Sequence, residues 1–253
     1  NHIETNYLFG TLILQKKNFD EAIKILNNVI KLNPNHFNAM HNISYALIEK
    51  GEYKKAEELL NTVINIKPNH VDAHYNLANI YKHFAEFEKA EKFYKKAIQI
   101  NPNNAKAFNN LGNILKDLGK FDEAINSYKT AIKLQNNHAN AYHNLGNTYK
   151  QLGEFKKAKI FFEESLKHNP TNLETLATKI ELNKEIIDVK QKKKILSIME
   201  IKNLNNKDIA YGNFLLARYE QQRKNFEKEF DFLLKGHSYY YKWGKKKYEQ
   251  GVR

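Results

Sequence analysis

The sequence has no cysteine and is poor in proline and glycine. Without a thiol, disulfides, thiolate zinc sites, iron–sulfur clusters and cysteine nucleophiles are excluded together. Proline occurs four times and glycine ten times in 253 residues, below the roughly 5% and 7% of average proteins. So few helix breakers favour helices over a β-sandwich or barrel. The mean hydropathy is −0.71, and no apolar run approaches the roughly 18 residues that cross a membrane, so no membrane span is predicted.

The sequence does have a 34-residue period. An aromatic residue stands three positions before each member of an alanine series, and small residues recur further upstream. Agreement at one position would be chance, but several residue classes in register indicate a repeat. The prolines are Pro34, Pro68, Pro102 and Pro170, the alanines are Ala22, Ala56, Ala90, Ala124 and Ala158, and the small residues are Gly10, Ser44, Ala78, Gly112 and Gly146.

One period, residues 105–138, predicts a pair of helices. Leu111 and Leu115 share one helical face, and Gly119 ends that helix, as glycine past a helix C-terminus does. Phe121 fills the corner, and Ala124 lies on the apolar face of the second helix. Such a helix pair cannot bury its apolar face alone, so neighbouring pairs must stack into a solenoid.

These features resemble the tetratricopeptide repeat family, through the 34-residue period, the Leu-Gly pair, the Phe/Tyr-x-x-Ala step and the terminal Asn-Pro. The resemblance implies an all-α, right-handed α-solenoid superhelix. The regular repeats are expected within residues 1–172, and residues 173–253 are expected to form diverged helical repeats that cap the array or dock a domain. The five regular repeats are 3–36, 37–70, 71–104, 105–138 and 139–172.

The segment from Phe230 to Trp243 has a looser resemblance, to the stretch that joins tetratricopeptide arrays to a sulfotransferase domain in some bacterial proteins. It implies that this chain is the non-catalytic part of a larger transferase, with a sulfotransferase favoured over a glycosyltransferase. Residues 208–253 would then dock the missing domain. The phosphate-binding loop of such a domain is not present in this sequence, and the chain itself is predicted not to be an enzyme.

Asparagines recur at two positions on the predicted first helix of each repeat. An amide donates and accepts hydrogen bonds at once, as a peptide group does, so aligned amides can read the backbone of an extended peptide. The arrays of O-linked N-acetylglucosamine transferases have a similar ladder, and the resemblance implies a similar use. The alternative is a solvated consensus position in an asparagine-rich chain. The first asparagine row is Asn42, Asn76, Asn110 and Asn144, and the second asparagine row is Asn79, Asn113 and Asn147.

A lysine row, Lys82, Lys116 and Lys150, follows the same period and would favour an acidic peptide on the concave face. Its alternative is a solvated helix face. The family's clamp for a carboxylate-rich chain terminus needs lysine or arginine one position before each member of the first asparagine row. Tyr75 stands at one such position and is included in the predicted peptide site; the others hold His41, Asn109 and His143, so that clamp is not matched.

The first repeat differs, because an apolar strip replaces the polar inner positions. Leu8, Leu14 and Ile48 belong to this strip, which marks either the contact of a lost upstream repeat or a partner or self-association surface. The partner, the oligomeric state and the full-length domain content are left open by the sequence. A cytoplasmic location is expected.

The formal charge of +13 raises nucleic acid or anionic lipid as a weaker alternative. Thirty-eight of the 41 basic residues are lysine, whereas bidentate phosphate and guanine recognition favours arginine, so nucleic acid is disfavoured. Residues 173–253 are densest in charge, with clusters at 190–194 and at 242–247, the latter among Tyr239, Tyr240, Tyr241, Trp243 and Tyr248.

No cofactor, metal or catalytic residue is predicted. The histidines follow the period rather than clustering, and His70 and His74, with Asp72 between them, lack an evident third or fourth metal ligand. Gly244-Lys245 lacks the earlier glycine of a phosphate-binding loop, and the paired glutamates on second helices indicate solubility.

Overall fold

The computed structural model describes residues 2–251, with side chains for residues 2–245, and this part of the chain is all helical. Fourteen helices follow one another with short connections. They are α1 His2–Gln15, α2 Phe19–Leu32, α3 Phe37–Glu49, α4 Tyr53–Ile66, α5 Val71–His83, α6 Phe87–Ile100, α7 Ala105–Asp117, α8 Phe121–Leu134, α9 Ala139–Gln151, α10 Phe155–His168, α11 Leu173–Asn183, α12 Val189–Met199, α13 Asn206–Gln221 and α14 Phe226–Gly251.

The described chain divides after Ser127 into two compact units. In the first unit α1 packs against α2, α3 against α4 and α5 against α6, and these pairs stack so that α2 contacts α3, α4 contacts α5 and α6 contacts α7. In the second unit α9 packs on α10, α10 on α11, α11 and α12 on α13, and α13 on α14. The odd-numbered helices are called first helices below, and the even-numbered ones second helices.

Periodic residues form the core of each unit, as the pattern predicts. The alanines three positions after the corner aromatics are fully buried in all five regular repeats. Four positions further along, a large side chain is fully buried in every one of them: Leu26, Leu60, Tyr94, Tyr128 and Phe162. The small residues of the first helices explain how close the helices come, because a Cβ on Gly10 would lie 2.8 Å from Leu26, and one on Gly146 would lie 2.8 Å from Phe162.

The corner between the first and second helix of a repeat has left-handed backbone. Gly51, Gly119 and Gly153 take φ values of 79°, 75° and 76° there, a region that costs glycine little. Lys17 and Ala85 take the equivalent place in their repeats at φ 60° and 58° without being glycine. Positive φ therefore belongs to the corner itself, and the sequence uses glycine at three of these five positions.

Histidines begin three of the first helices. His36, His70 and His138 each accept a hydrogen bond through Nδ1 from the backbone N–H three residues later, at 3.1, 3.2 and 3.3 Å. Asn104 and Asn172 do the same with a side-chain oxygen, the usual chemistry of a helix N-cap. The periodic histidines thus satisfy backbone donors, which accounts for their placement in the inter-repeat turns.

The last third of the chain keeps the helix-pair plan with altered corners. The sequence predicts helices at 173–186 and 189–200, and the structure has α11 and α12 at Leu173–Asn183 and Val189–Met199. Lys184 and Lys224 supply the left-handed corner residues, at φ 51° and 58°. A Cβ on Gly236 would lie 2.5 Å from the ring of Phe214, so α14 packs tightly on α13.

The predicted apolar strip of the first repeat is partly wrong. Leu14 is buried and packs in a core cluster with Ile13, Ala22 and Ala46, so it is not part of an inner surface. Leu8 is 59% exposed, and Ile48 is half-buried. Because Leu14 faces α2 and α3, it does not belong to a surface that α1 presents.

Candidate peptide-binding surface

The two asparagine rows lie half-exposed on the first helices, and this holds for all seven members. In the first unit they stand on α3, α5 and α7. In the second unit Asn144 and Asn147 stand on α9. The lysine row is half-exposed as well.

Side chains of the first asparagine row bond to the preceding first helix. Asn42 donates from Nδ2 to Thr11 Oγ1 at 3.0 Å, and Asn76 Nδ2 lies 3.2 Å from His41 Nε2. Since an amide nitrogen only donates, the His41 ring nitrogen is the acceptor. These bonds join residues 31 and 35 positions apart, so the row links consecutive repeats of the first unit.

Asn110 stands at the centre of the most connected part of this surface. Its Nδ2 donates to Tyr75 Oη at 2.9 Å and lies 3.5 Å from Asn79 Oδ1, and that same oxygen accepts from Tyr94 Oη at 2.6 Å. Burial raises the pKa of Tyr94, so its hydroxyl stays protonated and able to donate. The network holds the Asn79 and Asn110 amides in fixed orientations.

The amides of this surface keep hydrogen-bonding capacity. A carboxamide has two N–H donors and an oxygen with two lone pairs. Among the described residues, the only hydrogen bond of Asn76 is the one to His41, which leaves one N–H and the carbonyl oxygen. A peptide can therefore bond to Asn76 without displacing the contact that orients it.

The residues preceding the first asparagine row are inter-repeat contacts. His41 and Tyr75 accept from the asparagines of the next repeat, 35 residues on. Asn109 is only 7% exposed and donates from Nδ2 to Asn110 Oδ1 at 3.3 Å. In the second unit, buried His143 bonds through its two ring nitrogens to Asn147 at 2.8 Å and Thr175 at 2.7 Å.

The members of the lysine row differ in whether their charge already has a partner within the protein. Lys150 Nζ lies 3.6 Å from the Glu181 carboxylate, so part of its charge is already balanced within the second unit. Lys82 also has interactions within the protein. An acidic preference along this row consequently stays a prediction.

A cavity of about 480 Å³ lies in the second unit among α9, α11, α13 and α14. Lys150, Thr178, Glu181 and Arg218 line it, together with aromatic side chains of α13. The sequence predicts capping or docking for this part of the chain, and Arg218 is not among the predicted site residues. The sequence does contain a signal for Arg218: aligning the corner at Lys224 with the corner at Gly153 places Arg218 at the position of Asn147.

The C-terminal helix presents apolar side chains to solvent. Phe226, Phe230 and Leu234, four residues apart, are 67%, 61% and 55% exposed, and Tyr241 is 69% exposed. Nearby, Lys242 lies over the Tyr239 ring and Lys207 over the Trp243 ring. The side chains of Lys246, Lys247 and Tyr248 lie outside the described residues, as does Arg253, so the predicted basic aromatic cluster and the docking segment 208–253 are described only in part.

The described histidines and carboxylates contain no group of three that could hold a metal ion. The His74 ring donates from Nε2 to the Pro68 carbonyl at 2.8 Å, and His70 caps α5. No described helix is long and apolar enough to cross a membrane.

Tetratricopeptide family models match the sequence continuously from residue 14 to residue 172. The matches described as "Tetratricopeptide repeat" cover 14–74, 71–104, 93–126 and 139–172, and one described as "TPR repeat" covers 112–153. The chain belongs to the tetratricopeptide repeat family. Two of the matched ranges, 71–104 and 139–172, are the residues that the 34-residue period assigns to the third and fifth repeats.

Solved structures confirm an all-α repeat solenoid as the fold class. A crystal structure of MamA is 25% identical, with a TM-score of 0.60 over 64% of this chain and 94% of that one. YrrB, titled a TPR protein with an unusual peptide-binding site, is 20% identical with a TM-score of 0.60 over 69% and 90%. A thermophilic TPR protein of Thermus thermophilus is 19% identical, with a TM-score of 0.56 over 72% and 100%. A search among curated proteins found no match.

Proposed function

We propose that this protein is a non-catalytic interaction scaffold that binds an extended peptide segment of a partner protein along its first helices. The observation that carries the proposal is the first asparagine row in the first unit, whose half-exposed amides are oriented by inter-repeat bonds and in which Asn76 keeps one N–H and its carbonyl oxygen. The fold family supports it, and one structural relative, YrrB, is described as having a peptide-binding site.

The spacing of the rows suits an extended chain. Neighbouring packed helices lie roughly 8–10 Å apart, and an extended peptide advances about 3.3 Å per residue. Each first helix would therefore meet roughly every third residue of the bound segment. Amides would hydrogen-bond to the peptide backbone, so many peptide sequences would be accepted. The lysine row and Tyr75 would then favour particular peptide side chains.

The experiment compares two double variants on an array of extended peptides. Asn76→Ala with Asn110→Ala removes two amides of the first asparagine row. Asn28→Ala with Asn65→Ala removes two exposed asparagines from second helices and serves as the matched control. A neutral hydrogen bond contributes about 0.5–1.5 kcal/mol, so the first variant should lose about tenfold in affinity or more, and the control should lose nothing.

Far-ultraviolet circular dichroism of both variants checks that helicity is kept, because Asn110 also bonds to Tyr75. Equal binding by wild type and the Asn76/Asn110 variant would contradict the proposal. The transferase alternative concerns what lies beyond this chain, and the exposed apolar residues of α14 are the feature here that a docked domain would cover.

A further inference from the structure

The cavity of the second unit lies at the positions that carry the asparagine rows elsewhere. Thr178 and Glu181 follow Asn144 and Asn147 by one period of 34 residues. The left-handed corners at Gly153 and Lys224 are 71 residues apart, so Arg218 in α13 corresponds to Asn147 in α9. The two positions of the second row that change from amide to charged in the last repeats, Glu181 and Arg218, thus both line this cavity.

Arg218 has an unused donor in this cavity. Its Nε is buried and has no hydrogen-bond partner among residues 2–245, and its Nη2 makes a long bond, 3.4 Å, to the Glu185 carbonyl. No described carboxylate forms an ion pair with it. Nη1 also makes no hydrogen bond among the described residues, and because it is not buried it is the guanidinium nitrogen that a ligand can reach.

The carboxylates that line the cavity already have partners. Glu181 pairs with Lys150 at 3.6 Å, and Glu229 accepts a hydrogen bond from Gln221 Nε2 at 2.9 Å. Neither is bonded to Arg218. The fork of a guanidinium matches a carboxylate with two parallel N–H···O bonds, a geometry that a peptide carbonyl cannot fill.

Apolar side chains form the rest of the wall. Phe214 and Leu233 line the cavity, and so does Tyr211, whose pKa is raised to about 12, chiefly by burial, so that its hydroxyl remains neutral. An acidic residue flanked by apolar ones suits this mixture of a guanidinium and apolar walls. We infer that the second unit contains a side-chain-reading subsite in which Arg218 binds the carboxylate of a glutamate or aspartate in the bound peptide.

This inference rests on the proposed function and adds specificity to it. The asparagine rows would hold the backbone of any extended segment, whereas the cavity would select segments with an acidic residue at one position. The probes are two capped peptides, Ac-Ser-Leu-Glu-Leu-Ser-amide and the same sequence with glutamine in place of glutamate, which differ in one carboxylate.

The first readout is the side-chain Nε–H signal of Arg218 in a nitrogen–proton correlation spectrum. The chain has three arginines, Arg218, Arg223 and Arg253, so the signal is assigned by comparison with Arg218→Lys. The glutamate peptide should shift this signal strongly, and the glutamine peptide should shift it little. Equal shifts with both peptides would overturn the subsite.

The second readout is affinity in wild type and variants. A hydrogen bond to a charged group contributes enough for wild type to prefer the glutamate peptide by about tenfold or more. Arg218→Gln should abolish the preference, and Arg218→Lys should retain part of it through charge alone. Lys193→Gln removes one exposed charge from α12 outside the cavity and should change nothing.

The outcomes separate the two proposals. Binding of both peptides without discrimination, with sensitivity to Asn76→Ala and Asn110→Ala, supports the scaffold and overturns the subsite. A response of Arg218 to the glutamate peptide, together with equal binding of the peptide array by wild type and the Asn76/Asn110 variant, supports the subsite and contradicts binding by the rows. No response in either readout overturns both.

Discussion

Residues on the surface of the first helices can hold neighbouring repeats together, present polar groups for binding, or do both. Asn110 and Tyr75 bond to each other across neighbouring repeats, so each helps to hold the stack as well as to present a polar surface. A consensus asparagine is therefore compatible with both the structural and the binding interpretation of the rows. Asn76 distinguishes them best, since one bond orients it and the rest of its amide has no partner in the described chain.

The residue scale also shows what a sequence period can predict about a site. The period predicts that the asparagines of each unit share a position on the first helices, because side-chain direction in a helix follows from position, and each of them is half-exposed. It could not predict that His41 and Tyr75 bond to the next repeat, because that depends on the exact offset between two packed helices. Arg218 was missed because α13 is displaced by three residues from the 34-residue grid.

Histidine protonation should make the stability depend on pH. Burial, and then the neighbouring His70, lower the pKa of His41, and burial lowers that of His70. Their rings lie 4.9 Å apart, and each uses an unprotonated nitrogen as an acceptor, from Asn76 and from the Ala73 N–H. A base with a lowered folded pKa gives stability that is complete above the unfolded value near 6.5 and is lost as pH falls through the folded value.

The measurement is urea unfolding at pH 7.5, 6.5 and 5.5 for wild type and His70→Asn. Asparagine is the residue that caps the equivalent helices at Asn104 and Asn172, so this variant keeps an acceptor that does not titrate. We expect the free energy of unfolding to decrease as the pH is lowered from 7.5 to 5.5 in wild type, and to decrease less in His70→Asn. If the free energy of unfolding changed equally with pH in both proteins, protonation of His70 would not be a cause of the pH dependence.

At the scale of helices, a few small residues at the close approaches between helices are enough to predict the fold from the sequence. Buried alanines and glycines fix where first and second helices approach, and these recur strictly in the five regular repeats. The last repeats keep the geometry with other residues, since Lys184 and Lys224 adopt the left-handed corner and Gly212 and Gly236 supply the close approaches. The sequence predicts helices there as well, and the structure has them, although the motif residues have changed.

Ala85 is the corner residue least suited to its backbone. Left-handed backbone costs a non-glycine residue about 1–2 kcal/mol, and part of the gain from glycine is offset because glycine loses more entropy on folding. Ala85→Gly should therefore raise the free energy of unfolding by about 0.5–1 kcal/mol. The measurement is chemical denaturation, with Ala139→Gly as the control.

That control makes the same side-chain change at the first residue of α9, where the backbone is helical. Glycine is up to about 1 kcal/mol less favourable than alanine in a helix, so Ala139→Gly should be neutral or destabilising. If Ala85→Gly raised the free energy of unfolding and Ala139→Gly lowered it, the effect would be due to the backbone conformation at residue 85. Destabilisation by Ala85→Gly would show that the corner does not strain alanine.

For the whole molecule the open question is what the excess of positive charge does. Residues 1–172 carry 23 basic and 17 acidic residues, and residues 173–253 carry 18 and 11. Several lysines of the second part already have partners, such as Lys192 with Glu220 at 2.8 Å and Lys207 with Glu174 at 2.7 Å. The charge is therefore more distributed than the clusters in the sequence indicate.

Salt dependence distinguishes a peptide scaffold from a binder of polyanions. Binding that neutralises six to ten phosphates loses about 10³–10⁵ in affinity between 50 and 200 mM salt, since counterions are released. Capture of an uncharged peptide by amides involves no such release. We expect the glutamine peptide to lose less than about twofold over that range, measured by fluorescence anisotropy with a labelled single-stranded oligonucleotide as the comparison.

The oligonucleotide is expected to bind weakly at 50 mM salt and not measurably at 200 mM, because lysine forms point-charge contacts and the chain has few arginines for bidentate ones. An oligonucleotide affinity that survives 200 mM salt, with no peptide binding at either concentration, would reverse the assignment. The working surface would then be the lysine-rich second unit rather than the asparagine rows. Retention of peptide binding at 200 mM, where the Debye length is below about 8 Å, would show that hydrogen bonds rather than net charge hold the partner.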